Sequence, residues 1–302
     1  MQSARATLGI LLAALAGLLL TTMLAPTSGP DGLPLPASLP APLLAAARDC
    51  GDSPPPSPTR CEPARCGRLA VDGIVSPEHA DALRALMDAA LAVGGGGSGG
   101  VSILDLTSGA VSHRNRFADL FRLLAARPEA GRLDATALDV YAHVVTSVRD
   151  LIASVFEAET GRQLYLSSPT FFSRFNGSQP PATDHDEYWH THVDTVAYPD
   201  FTYTGLVYLA DPAAVDGGDG DGDGDGDGFA GGEFEFTDTA SRIVPRKGRI
   251  LVFSSGGENP HRVRRVTAGL RYALTISFTC DPARGIDDAD FLARARAAAT
   301  QA

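Results

Sequence analysis

The stretch Tyr188–Thr195, YWHTHVDT, packs His190, His192 and Asp194 into five positions. On an extended strand alternate side chains share a face, so all three would point the same way. That is one more candidate metal ligand than a single strand usually supplies. What surrounds the stretch decides how it is read. Downstream of Gly161 the segments QLYLSS (163–168), PTFFSRF (169–175), YTGLVYLAD (203–211), GEFEFTD (232–238), GRILVFSS (248–255) and RYALTISFTC (271–280) are short and rich in β-branched or aromatic residues. Gly, Pro and Asp turns separate them, which is the pattern of strands. With YWHTHVDT they predict a mainly β body, a sandwich or jelly roll with helices over one outer face.

Two helices precede these strands. Ser76 can cap and Pro77 suits a first helical position, with Leu83, Leu86, Met87, Ala90 and Leu91 at helical spacing. The flexible run GGGGSGG, 94–100, ends that helix. Asp134 then caps a longer one whose stripe is Leu138, Tyr141, Val145, Val148, Ile152, Val155 and Phe156, ending at Gly161. The expected organisation is an anchor or signal at 1–25, a Pro/Ala-rich linker at 26–66 and a helical region at 67–162. A β core follows at 163–285, with a tail at 286–302. The Asp-Gly run at 216–228 resembles half a calcium loop but lacks the closing acidic residue, so it reads as a disordered charged insertion.

The formal net charge is -11, and removing the six aspartates of that run leaves -11 + 6 = -5. A mildly acidic body lacks the concentrated basic face of a nucleic-acid binder. Leu8–Leu24 carries no charge over 17 residues and follows Arg5. It is long enough for one spanning helix, and its positive flank predicts a single-pass type II membrane protein with a lumenal catalytic body. A cleaved signal and a secreted product are the alternative, although Pro26 and Pro30 ill suit a small-x-small cleavage site. Cys50, Cys61, Cys66 and Cys280 fit one or two disulfides in that compartment, where Asn176-Gly177-Ser178 is a glycosylation sequon.

Two strand ligands at i and i+2 can take adjacent coordination positions, and a third must come from elsewhere in the fold. Two histidines and one carboxylate on one side of an iron leave the other side open to substrate and dioxygen. His192 and Asp194 are followed by His261 at a loop-to-strand junction and by Arg271 ten residues later. A buried guanidinium there needs an anion, which a dicarboxylate co-substrate would provide. The pair His190-x-His192 suits cupins or zinc hydrolases, yet no glutamate follows at short range. His185-x-Glu187 reads as a loop at the site mouth. Arg262, Arg264 and Arg265 read as a solvated strand edge.

The stretch from about Tyr165 to Cys280, a little over a third of the chain, resembles the 2-oxoglutarate- and Fe(II)-dependent dioxygenases of the prolyl 4-hydroxylase type. The match is His192-Val193-Asp194, His261 and Arg271-Tyr272-Ala273-Leu274-Thr275. The phrases FFSR, DEYWHTHVD, YTGLVYL, PRKGRILVF and SGGENPHRV resemble its membrane-anchored members. The resemblance implies a double-stranded β-helix, iron on His192, Asp194 and His261, and 2-oxoglutarate on Arg271 with help from Tyr208. It implies hydroxylation of a C–H bond in a protein or peptide residue such as proline. Dioxygen is consumed, succinate and CO2 are released, and L-ascorbate keeps the iron reduced. Asp194 argues against halogenase chemistry, which lacks that carboxylate. Collagen-type relatives carry lysine where Arg271 stands, and some relatives carry a tyrosine where Phe175 stands. Two other readings compete: a tethered jelly-roll binding module without turnover, and a zinc hydrolase on the same ligands.

Overall fold

The computed structural model describes residues 27–28, 33–50, 61–127, 129, 131–213 and 228–300. Its main strands are β1 (Leu44–Arg48), β2 (Cys66–Val71), β3 (Val101–Asp105), β4 (Ala110–Arg114), β5 (Arg116–Asp119) and β6 (Tyr165–Asn176). They continue with β7 (Tyr203–Tyr208), β8 (Phe234–Phe236), β9 (Ser241–Ile243), β10 (Ile250–Ser254), β11 (His261–Val263) and β12 (Leu270–Thr279). The helices are α1 (Pro77–Gly94), α2 (Leu120–Ala126), α3 (Ala135–Phe156), α4 (Asp194–Ala197) and α5 (Asp288–Thr300).

A ten-stranded sheet runs β1-β2-β10-β7-β12-β6-β3-β4, with Gly96–Gly97 and β5 both pairing β4. It faces a three-stranded sheet, β9-β8-β11. Alternation along each strand divides the large sheet into two faces. Tyr272, Leu274, Ile276 and Phe278 of β12 turn outward onto the core shared with α1, α3 and α5. Ala273 of β12, Tyr208 and Leu206 of β7, and Phe253 of β10 turn inward against Phe234, Phe236 and Ile243 of the small sheet. This is the jelly roll with helices on one outer face that the strand pattern predicts, and the space between the sheets is where a site can form.

The caps work as expected. Ser76 Oγ accepts from the His79 N–H at 3.2 Å, and Asp134 Oδ1 from the Thr136 N–H at 2.8 Å. The seven stripe residues of α3 are all buried. The helix ends at Phe156, five residues before Gly161, because Glu157 leaves helical geometry. The glycine run is a tight structure and no flexible loop. A Cβ on Gly97 would lie 2.1 Å from the Val101 carbonyl oxygen, and one on Gly99 at 2.1 Å from Asp186 Oδ2.

Other expectations need correction. YWHTHVDT is no strand: Tyr188–His190 form a turn or bend, His192 makes one isolated bridge to His261, and Asp194 opens α4. Beyond that bridge the chain closes into a helical turn, with the Tyr198 N–H on the Asp194 carbonyl at 2.8 Å. The stretch expected as linker contributes β1, and Leu33, Leu35 and Ala45 are buried in the core. The Ala-rich sequence LAAAR has little intrinsic strand preference, and pairing along β2 gives it one. The region expected as helical holds β2 to β5 as well, and the expected tail holds α5, whose Phe291, Leu292 and Ala295 are buried.

Disulfides join Cys50 to Cys66 and Cys61 to Cys280, closing loops of 16 and 219 residues. The second ties the chain entering β2 to the end of β12. Residues 8–24 and 214–227 lie outside the described residues, so the expected anchor and most of the Asp-Gly insertion do too. The insertion leaves and re-enters at one place, where the Ala213 N–H donates to the Phe229 carbonyl at 2.9 Å. Among the described residues no helix is long and apolar enough to cross a membrane.

Candidate active site

His192 and His261 are brought together by backbone. Each N–H donates to the other's carbonyl at 2.9 Å, and the rings lie 4.4 Å apart between centroids. Asp194, two residues on, reaches back from the first position of α4. Its Oδ1 is 3.8 Å from His192 Nε2 and 3.5 Å from His261 Nε2. One ligand atom from each residue can be chosen so that all lie within 4.8 Å of one another, the only such group of His, Cys, Asp or Glu among the described residues.

The remaining atoms of these side chains are held in ways that leave the cluster free. His192 Nδ1 lies 3.0 Å from the His190 carbonyl and His261 Nδ1 2.9 Å from the Asn259 carbonyl. A carbonyl only accepts, so each Nδ1 carries the proton and each Nε2 presents a lone pair to the cluster. Asp194 Oδ2 accepts from Thr204 Oγ1 at 2.6 Å, and that hydroxyl also meets Ser255 Oγ at 2.9 Å. His261 is buried against Phe234, stacked at 4.8 Å, and Phe253 at 4.9 Å. Burial pushes His261 below the usual imidazole range, and the Asp194 charge offsets this only in part. Its imidazole is neutral at physiological pH, as a metal ligand must be. Two imidazoles and a carboxylate, each oriented from behind, fit Fe(II).

Arg271 lies on the inner face of β12, the face that carries Ala273. It is 1% exposed. Its Nε donates to the Gly232 carbonyl at 2.9 Å, while Nη2 is buried with no hydrogen-bond partner. The guanidinium lies 5.3 Å from both the Phe175 and Tyr208 rings. The Tyr208 hydroxyl is likewise buried beside this guanidinium, and burial pushes the phenol up to about 12 against the opposing effect of Arg271. A guanidinium with an unused N–H and a phenol hydroxyl side by side in one buried pocket fit an anionic group that takes both. Where some relatives have a tyrosine this chain has Phe175, and the Tyr188 ring stacks on it at 3.9 Å. The Tyr188 hydroxyl accepts from the Val266 N–H at 2.9 Å.

His190 stands outside the cluster, exposed and 3.0 Å from Glu187 through Nε2. Only its carbonyl serves the site. Several supporting residues were not foreseen: Thr204, Ser255, Tyr188, Phe234 and Gly232. Thr204 was within reach, because in YTGLVYL it alternates with Leu206 and Tyr208 and so must face inward. Gly232 was not, since its need for no side chain arises from Arg271. A Cβ there would lie 2.6 Å from Arg271 Cδ.

Comparison with known proteins agrees with this geometry. The 2OG-Fe(II) oxygenase superfamily model matches residues 181–279, a range that spans the histidine–aspartate cluster, Tyr208 and Arg271. The chain is 41% identical over 230 residues to the 2-oxoglutarate and iron-dependent oxygenase domain-containing protein 3 of Xenopus tropicalis, covering 76% of this chain and 67% of that protein. For the human protein of that name the identity is 39% over 233 residues, covering 76% and 68%. Prolyl 3-hydroxylase 1 of Rattus norvegicus is 29% identical over 222 residues, which is 71% of this chain but 29% of that protein. Among solved structures, the viral collagen prolyl hydroxylase of Paramecium Bursaria Chlorella virus-1 in its 2OG complex is 16% identical, with a TM-score of 0.43. That match covers 70% of this chain and 94% of the viral one. On the two-fifths identity sustained over three quarters of its length, the chain belongs to the 2-oxoglutarate- and Fe(II)-dependent oxygenases and is a 2-oxoglutarate-dependent dioxygenase.

Proposed function

We propose that this dioxygenase hydroxylates a C–H bond of a residue in a polypeptide, proline being the leading candidate. His192, Asp194 and His261 would hold Fe(II), and Arg271 with Tyr208 would hold 2-oxoglutarate. When bound, Fe(II) supplies the activation of dioxygen. The net change is 2-oxoglutarate, O2 and R–H going to succinate, CO2 and R–OH, with ascorbate restoring ferrous iron after uncoupled turnover. The catalytic body would be lumenal, in the endoplasmic reticulum or Golgi, tethered through residues 8–24. Paired Cys50–Cys66 and Cys61–Cys280 support an oxidising compartment.

The chain contributes position and charge. Thr204 takes one oxygen of Asp194, so the other stays turned to the two imidazoles. The backbone bridge between His192 and His261 fixes the spacing of those rings. Phe234 and Phe253 keep water from the inner ring. Arg271 presents a guanidinium edge with an unused N–H, matched to a carboxylate. The single observation that carries the reading is this pairing of a three-ligand cluster with a buried, half-satisfied guanidinium.

The test is metal content together with 2-oxoglutarate consumption. The purified chain should bind Fe(II) and release succinate from 2-oxoglutarate, slowly alone and faster with a peptide substrate. Zinc held tightly with no succinate formed would mark a hydrolase. Absence of any bound metal would mark a binding module. Comparing oxygen-bearing peptides from cells with wild type and with His192→Ala then identifies the substrate.

A further inference from the structure

β11 begins with His261, which turns into the sandwich, and Arg262 follows on the strand's other face. Arg262, Arg264 and Arg265 line a cavity of about 190 Å³ with Trp189. This cavity is built from the two segments that carry the histidine ligands. Trp189 precedes His192 by three residues, so its Cα lies within about 11 Å of the ligand's.

The cavity carries more positive charge than its neighbours neutralise. Glu235 Oε2 is 3.3 Å from Arg262, 3.1 Å from Arg264 and 3.8 Å from Arg242. Glu233 lies 3.6 Å from Arg264. Three guanidinium groups thus share two carboxylates, in a chain whose net charge is -11. Arg262 Nε is buried without a hydrogen-bond partner. Arg265 has no carboxylate partner among the described residues, and its guanidinium sits 4.7 Å over the Trp189 ring. Guanidinium groups held flat on an aromatic ring keep their N–H edge free for a carboxylate.

We propose that this cavity receives an acidic side chain of the substrate polypeptide, a few residues from the position that is hydroxylated. The inference rests on the reading of the site as a polypeptide hydroxylase and adds a sequence preference to it. The separation follows from the chain: about three extended residues cover the distance from the metal cluster to Trp189. Arg265, which no carboxylate of the described residues neutralises, would grip the incoming carboxylate, and the Trp189 face would cover its methylene groups.

Trp189 is the only tryptophan in the chain, so its emission reports on this cavity alone. The full chain, loaded with Fe(II) and 2-oxoglutarate without oxygen, is titrated with a short peptide whose central proline is flanked by glutamates. The same peptide with glutamines is the control. The glutamate peptide should change the emission, bind about tenfold more tightly than the glutamine peptide and weaken as salt rises. Arg265→Glu should remove that tenfold preference. Equal responses to both peptides overturn the proposal, as does an unchanged preference in a folded Arg265→Glu chain. If that variant fails to fold, the comparison of peptides on the unaltered chain decides. Succinate formation without an acidic preference overturns the cavity's role alone. An acidic preference with no succinate formation overturns the hydroxylase reading and leaves an acid-binding cavity.

Discussion

Arg68 and Arg271 are both fully buried on the inner face of the same sheet, and they are treated in opposite ways. Arg68, on β2, is given a carboxylate by the protein, although its Nε has no hydrogen-bond partner. Asp238 accepts from its two Nη atoms at 3.1 and 2.7 Å, and the Phe236 ring lies 4.0 Å away. Arg271, on β12, has one carbonyl and an unpaired Nη2. Burial lowers the pKa of both guanidinium groups, and only for Arg68 does a carboxylate oppose the effect. A charge taken from water without a partner costs free energy. One arginine is therefore part of the folded structure, while the other is left incomplete for something the protein does not itself supply.

The sharpest way to break this comparison is to remove each charge in turn. Arg271→Met should lower succinate formation about a hundredfold or more, since two charge-assisted hydrogen bonds to the co-substrate go with it. Its unfolding midpoint in urea should be unchanged or higher, because a buried unpaired charge has been replaced by an apolar chain of similar shape. Asp238→Ala should do the reverse. It leaves Arg68 buried without a carboxylate and should cost roughly 3 kcal/mol of stability in the same urea titration.

The two histidines extend the contrast. His261→Ala removes a ring packed between phenylalanines and should cost roughly 3 kcal/mol of stability as well as the metal. His192 has half its side chain exposed, so His192→Ala should shift stability by no more than about 0.5 kcal/mol while still losing metal and succinate formation. Equal destabilisation by the two would mean that His192 also belongs to the core. Thr204→Val should leave Asp194 free to rotate and weaken Fe(II) binding about tenfold to a hundredfold, read by competition with a chelator.

The smallest effect concerns a carboxylate far from the site. Glu157 is 1% exposed at the end of α3 and accepts from Tyr203 Oη at 2.8 Å, the Ala64 N–H at 3.1 Å, Thr160 and Arg162. Burial alone would push its pKa up, but these hydrogen bonds outweigh it and hold the group below the usual glutamate range. Because the folded value is below the unfolded one, the stabilisation is complete above about pH 4.3 and is lost as pH falls through the folded value. Glu157→Gln should therefore cost about 1 kcal/mol near neutrality, and the difference should shrink on acidification.

Much of the site could be read directly. His192, Asp194, His261 and Arg271 stand out by residue type and by the spacing of short strands; His192, Asp194 and His261 gather into one cluster, and Arg271 is buried on the inner face of the main sheet. Composition and alternation could also place Tyr208 inward. The path of the ligand stretch was legible only in part. As a strand it would have put His190 beside His192 and Asp194, but the bridge to His261 and the turn of α4 leave His190 in solvent. No local pattern announces a bridge to a residue about seventy positions away.

The sequence by itself determined the mainly β class, the cap and apolar stripe of the long amphipathic helix, and the candidate ligand set. These depend on periodicity and side-chain chemistry, which are local. Tertiary structure alone decided that LAAAR becomes the edge strand of the main sheet, that Cys61 meets Cys280, and that Gly232 must lack a side chain beside Arg271. Tertiary structure also decided that Asp238 meets the charge of Arg68 while Arg271 has no carboxylate beside it. Each of these depends on groups far apart along the chain, whose burial is settled only when the sheets close on one another.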